Sequence, residues 1–207
     1  MFKIVKPMDI ETRSFEIITE LLGERKLEAK NELVIKRVIH TTADFDYADN
    51  LVFSPDAVAK GIAALRSGCH IVTDTSMAMA GINKTVLGKL GGQVHCFIAE
   101  ADVAREAKER GVTRSTVSME RAARLEQPCI FAIGNAPTAL IALHELMAAG
   151  KVKPALIIGV PVGFVNVVES KELILEDDVP SIVARGRKGG SNVAAAICNA
   201  LLYQITR

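Results

Sequence analysis

The chain has 207 residues, 49% hydrophobic and 24% charged, with a formal net charge of +1. That length suits one large domain with a sizeable core, and no apolar run reaches the ~18 to 20 residues that a membrane span needs. Interspersed charges of both signs argue against a nucleic-acid-binding face, and the absence of Trp argues against modules that stack bases on aromatic rings.

In chain order, the N-terminal stretch lacks the continuous apolar core of a signal peptide, so a cytoplasmic protein is expected. A helix is predicted from Ile10 to Leu22, carrying Ile10, Phe15, Ile17, Ile18, Leu21 and Leu22 and stopped by Gly23. Residues 34–50 begin like a buried strand, with Val34, Ile35, Val38 and Ile39, then turn polar at His40, Thr41, Thr42 and Asp44. Ser54, Pro55 and Asp56 form a helix start, with Ser54 as cap, for a helix running to about Arg66. Strands are predicted over 70–73, 94–99, 129–134, 155–160 and 181–185. Helices between and after them cover 101–110, 113–125, 136–149 and 191 to the C-terminus. Several strands are apolar without alternation, as expected of strands covered on both faces. The alternation of elements implies one α/β domain, a three-layer α/β/α arrangement around a mainly parallel sheet of about five strands.

Polar and glycine-rich turns follow the strands: residues 73–76, 134–138, 159–163 and 186–192. Ligands of open α/β sheets bind beyond the carboxyl ends of the strands, where such turns meet helix starts. Asn135 reads equally as a helix cap or a ligand contact. Arg187 and Lys188, beside Gly189 and Gly190, suit a carboxylate or a phosphate. The order of a Walker loop is missing, and no GxGxxG follows the first strand.

Among the histidines, His144 reads as structural or exposed, and His70 and His95 fall at strand starts, away from those turns. His40 reads equally as a core histidine or a catalytic one. Arg37, Thr41, Thr42 and Asp44 give it polar company and ways to fix its tautomer. No GxSxG nucleophile motif occurs, and Asp44, Asp46 and Asp49 lack the glycine and glutamate of a calcium loop. The four cysteines form no CxxC pair and read as buried thiols. A metal shared by the Cys69–His70 and His95–Cys96 pairs lacks zinc-like spacing, and neighbouring strand residues point to opposite faces.

Residues 37–47, RVIHTTADFDY, strongly resemble the signature of the precorrin-8X methylmutase family, including its cobalt-precorrin-8 members. Segments 7–18, 51–58, 68–82, 134–140, 159–172 and 186–201 resemble family segments in the same order, so the likeness covers nearly the whole chain. The resemblance implies an isomerase of corrinoid biosynthesis that moves a methyl group from ring carbon C11 to C12, giving hydrogenobyrinate or cobyrinate. It implies a homodimer, no cofactor, and a site histidine at His40, with Ser14 and Arg37 as substrate contacts.

The chemistry fits these residues. A 1,5-sigmatropic methyl shift needs no nucleophile, redox cofactor or protein-bound metal; it is helped by a proton or strong hydrogen bond on a ring nitrogen. An imidazole can lend a proton and take it back. The substrate is flat, apolar at its centre and fringed with carboxylates. Arg13, Arg37, Arg114, Arg187 and Lys188 are candidate partners for those carboxylates, together with helix starts after Gly134, Gly163 and Gly190. Thr41, Thr42 and Asn135 complete the candidate contacts; Ala136, Val162 and Phe164 are expected to face the ring. Two other readings remain open at this level: a tetrapyrrole carrier without chemistry, and an α/β enzyme acting on a phosphorylated metabolite.

Overall fold

The computed structural model describes Lys6 and residues 9–206. Pro7 and Met8, where the first family-like segment begins, lie outside them. The elements run α1 (Ile10–Leu22), α2 (Glu32–Thr42), α3 (Tyr47–Asn50), β1 (Leu51–Phe53), α4 (Ala57–Arg66), β2 (His70–Thr73), α5 (Ser76–Gly81) and α6 (Lys84–Lys89). They continue with β3 (Val94–His95), α7 (Ala101–Arg110), α8 (Arg114–Ala122), β4 (Cys129–Ile133), α9 (Pro137–Ala148), β5 (Leu156–Gly159), α10 (Val167–Glu176), β6 (Ser181–Ala184) and α11 (Ser191–Thr206).

Among the described residues the sheet has six strands in the order β1-β6-β5-β4-β2-β3. All neighbours pair in parallel except β1, which runs antiparallel to β6 with Val52 opposite Val183. The central strands β2, β4, β5 and β6 are buried at every position, which is why their sequences do not alternate. Successive residues feed opposite cores. Ile130, Ala132, Leu156, Ile158 and Ile182 pack with α1, α2, α4 and α11, whereas Phe131, Ile133, Ile157 and Val183 pack with α8, α9 and α10. The expected three-layer α/β/α arrangement is therefore present, with β1 as a sixth strand.

Three local expectations are corrected. Residues 32–42 form a helix, not a strand: Val34, Ile35, Val38 and Ile39 recur at i, i+1, i+4 and i+5 and are all buried on one face. The strand expected over 94–99 stops at His95, because only Val94 and His95 find partners, in Ile71 and Val72. Ser54 does not cap α4. Its hydroxyl accepts the Ser181 N–H at 2.8 Å, tying the end of β1 to β6, and Asp56 stands at the cap position.

Candidate active site

Helix α2 carries the candidate histidine on its last turn. His40 is exposed, and the Phe15 ring of α1 stacks against it at 5.6 Å between centroids. Arg37 lies one turn earlier on the same face. Its guanidinium stands over Phe15 at 4.8 Å and Tyr203 at 5.2 Å, and donates to Glu11 at 2.6 Å. A cavity of about 440 Å³ opens there, lined by Glu11, Phe15, Leu33, Arg37, Tyr203 and Gln204 among others. Three helices from distant parts of the chain thus meet around Arg37, and Phe15 joins it to His40.

The threonines do not orient the imidazole. Thr41 donates to the Arg37 carbonyl and Thr42 to the Val38 carbonyl, so both hydroxyls close on their own helix. Among the described residues, the His40 ring contact is Phe15 alone. Ser14, beside Phe15, donates to the Ile10 carbonyl. Arg13 pairs with Glu16 and Glu20 along the surface of α1.

The turns at the carboxyl ends of the strands converge. Thr75 and Ser191 hydroxyls meet at 2.8 Å, and Gly134 packs so closely on the Gly190–Ser191 backbone that a Cβ would lie 2.7 Å from Ser191 Cα. Gly190 N–H donates to Val160 and Gly163 N–H to Arg187. Around these turns Met77, Val162, Phe164 and Val165 are exposed, Phe164 to 82%. An apolar platform is open there, though Ala136 is buried and cannot belong to it.

Several polar groups expected to meet substrate are already engaged. The N–H groups of Gly134, Asn135 and Ala136 all donate to Asp74, at 2.7 to 2.9 Å. A helix start that reads as an open anion site is thus filled by the chain's own buried carboxylate. Burial raises the pKa of Asp74 against the pull of those three N–H groups, so the balance favours the protonated form more than in a free aspartate. Lys188 is engaged as well: its Nζ donates to Asp44 and Asp46, each at 2.6 Å. Arg114 and Arg187 are exposed and carry no ion pair among the described residues. Arg114 opens α8, whose cap Thr113 donates to Thr138 on the first turn of α9 at 3.0 Å, placing it on the same rim.

The structure therefore unites His40 and Arg37 with Phe15, Glu11 and Tyr203, and gathers Gly163, Gly190 and Asn135 at a second cluster of turns. The side chain of Lys188 links the two, reaching Asp44 just past α2. Glu11 and Tyr203 had no signal in the sequence, and Asp74, though within the 73–76 turn, gave no sign of its partners, because these lie 26, 166 and about 60 residues away. His70 and His95 do meet, Nδ1 to Nε2 at 2.8 Å with stacked rings, but no group of three His, Cys, Asp or Glu suited to a metal occurs among the described residues. His144 contacts Asp177 at 3.0 Å, consistent with a structural role.

Comparison with known proteins gives the family and the fold. The description of the precorrin-8X methylmutase family matches residues 9–204. A cobalt-precorrin-8 methylmutase of Salmonella typhimurium is 46% identical, with 99% of each chain covered. A precorrin-8X methylmutase of Pseudomonas aeruginosa is 43% identical, with 93% of each covered. The crystal structure of a precorrin-8X methylmutase from Thermus thermophilus superposes with a TM-score of 0.87 at 36% identity, covering 96% of this chain and 98% of that one. The family match and these relatives define an α/β enzyme of the isomerase class. The chain belongs to the precorrin-8X methylmutase family.

Proposed function

We propose that this chain moves a methyl group from C11 to C12 of precorrin-8X or cobalt-precorrin-8, with His40 as the proton donor and acceptor. The observation that carries the reading is the placement of His40. It stands exposed on the last turn of α2, against Phe15 and one turn from Arg37, and Lys188 ties that end of the helix to the turns that bear the exposed apolar platform. The macrocycle would lie across that platform with a ring nitrogen at the imidazole. A proton or hydrogen bond from His40 draws electron density out of the conjugated system. The bond from C11 to the methyl breaks as the bond to C12 forms, and the proton returns to His40. General acid assistance of this kind contributes ~10²- to 10⁴-fold; the rest comes from holding the flexible ring in its reactive shape.

Arg37, Ser14, Arg114 and the turns at Gly163 and Gly190 are proposed to meet the ring's edge. With Lys188 and Arg13 engaged within the chain, Arg114 and Arg187 are proposed as further partners for the ring carboxylates beside Arg37. The enzyme is proposed to act as a cytoplasmic homodimer. Phe164, Val165, Leu21 and Leu33 are exposed apolar side chains that a partner subunit or substrate would cover. Sedimentation should then give twice the 22.2 kDa of one chain; a monomer at micromolar concentration would sink the dimer.

His40→Ala is the deciding experiment. The product differs from the substrate in conjugation, so turnover is followed by visible absorbance. The variant should fold, bind the corrinoid and lose turnover by about 10²-fold or more. Turnover near that of the parent would leave only a role in binding.

A further inference from the structure

Lys171 of α10 has no part in the chemistry above, yet its side chain is fully buried. Its Nζ donates to the carbonyl oxygens of Gly186 and Lys188, both at 2.8 Å. Burial pulls its pKa down to about 8. Lysine is costly in such a place, and an apolar side chain would fill the space without that cost. What the amine adds is directional: it fixes two peptide units of the turn. The turn is bonded from its other side too, Gly190 N–H to Val160 at 2.9 Å and Gly163 N–H to Arg187 at 3.2 Å. Gly189 has no room for a side chain, since a Cβ would lie 2.1 Å from the Val160 oxygen. The backbone that carries Lys188 is therefore immobilised on two sides.

From that base the Lys188 ammonium reaches Asp44 and Asp46, at 2.6 Å each. These carboxylates follow the C-terminal end of α2, where the helix dipole is already negative, so a cation is needed there. The segment is also strained: Ala43 ends α2 in the left-handed region with φ 54°. Otherwise it is held by two local bonds, Asp44 N–H to Thr42 Oγ1 and Asp46 N–H to Asp44 Oδ1, by Arg25 donating to the Phe45 carbonyl at 3.3 Å, and by the packing of Phe45 on the core. Exposed ion pairs are usually weak because two mobile side chains must be ordered. Here part of that ordering is done beforehand by the fixed turn.

We propose that Lys188 is a positioning residue for His40: it sets the last turn of α2 against the Gly186–Gly190 turn, and Lys171 holds the backbone from which it reaches. The inference rests on the methylmutase reading for its kinetic consequence, and on geometry alone for its mechanical one.

The test uses the full chain with Lys188→Met, Lys188→Arg and Lys171→Met. Amide hydrogen exchange over residues 40–46 and steady-state kinetics on the corrinoid are measured together. Lys188→Met should speed exchange over 40–46 by about 10-fold and lower kcat by about 10-fold, with KM changed less than about 3-fold. Lys188→Arg should restore both. Lys171→Met, where it folds, should loosen residues 186–190 and 40–46 together; where it does not fold, the two Lys188 variants decide. Parent-like exchange over 40–46 in Lys188→Met overturns the proposal, as does a parent-like kcat. If the parent chain converts no corrinoid, the methylmutase reading fails, and the exchange measurement still decides whether Lys188 holds α2.

Discussion

Arg37 sets its flat guanidinium against two rings, Phe15 and Tyr203, and one N–H on Glu11. The rings fix its plane, and Glu11 fixes its rotation within that plane. An arginine so constrained loses little freedom when a carboxylate arrives, which is where arginine has the advantage over lysine. The guanidinium carries five N–H donors, so the bond to Glu11 occupies only part of the fork. Arg37→Ala should therefore raise KM by about 10- to 100-fold, the worth of one charge-assisted hydrogen bond, with kcat within about 3-fold. Steady-state assays separate the two constants. A fall confined to kcat would mean that Arg37 serves His40 through their shared neighbour Phe15, and not the substrate directly.

At the scale of elements, the legible helices were those with punctuation. Gly23, Gly111 and Gly150 mark the ends of α1, α7 and α9, and the structure places each just past its helix or one residue further. The hidden helices each lacked a signal for a physical reason. Helices α5 and α6 have six residues each, too few for a 3.6-residue period to repeat. Helix α10 buries Lys171, so its sequence puts a charge where an apolar residue marks a stripe. Helix α2 is rich in β-branched residues, which favour strands, yet its buried positions follow helical spacing. The site was legible in part. His40 and Arg37 could be named from the family-like signature, and the strand-end turns from their glycines. That Asp74 fills the Gly134 turn and that Lys188 is spent on Asp44 and Asp46 could not be foreseen. Such pairings join residues 60 to 144 positions apart and depend on the finished topology.

For the molecule as a whole, burial of ionisable groups sets a pH dependence. Burial pushes the Cys69 and Cys198 thiols up to about 12 and Cys129 to about 11, from an ordinary value of 9.0. Their stabilisation is present below pH 9 and is lost as pH rises through those folded values. Lys171 works the other way: with its pKa lowered to about 8, the unfolded chain holds a proton that the native state has shed, so stability gains between pH 8 and 10.5. Three thiols outweigh one amine by two protons. Stability should fall above pH 9 with a steepest slope on the order of 3 kcal/mol per pH unit. Tyr47, also raised by burial, adds to the loss at higher pH. Urea midpoints at pH 7.5 and 10 read this directly. The midpoint should drop, and Cys198→Ala should shrink the drop; a midpoint that rises would contradict the thiols' dominance.

The sheet begins with the three residues of β1 and finishes with the two of β3. Margins this brief offer almost no unpaired main chain for a foreign strand to zip onto. Pairing of sheets from copy to copy is accordingly disfavoured at both margins. An inhibitor against it would need to be shaped for a surface of side chains, and a peptide built to extend the ladder would find no grip on either flank.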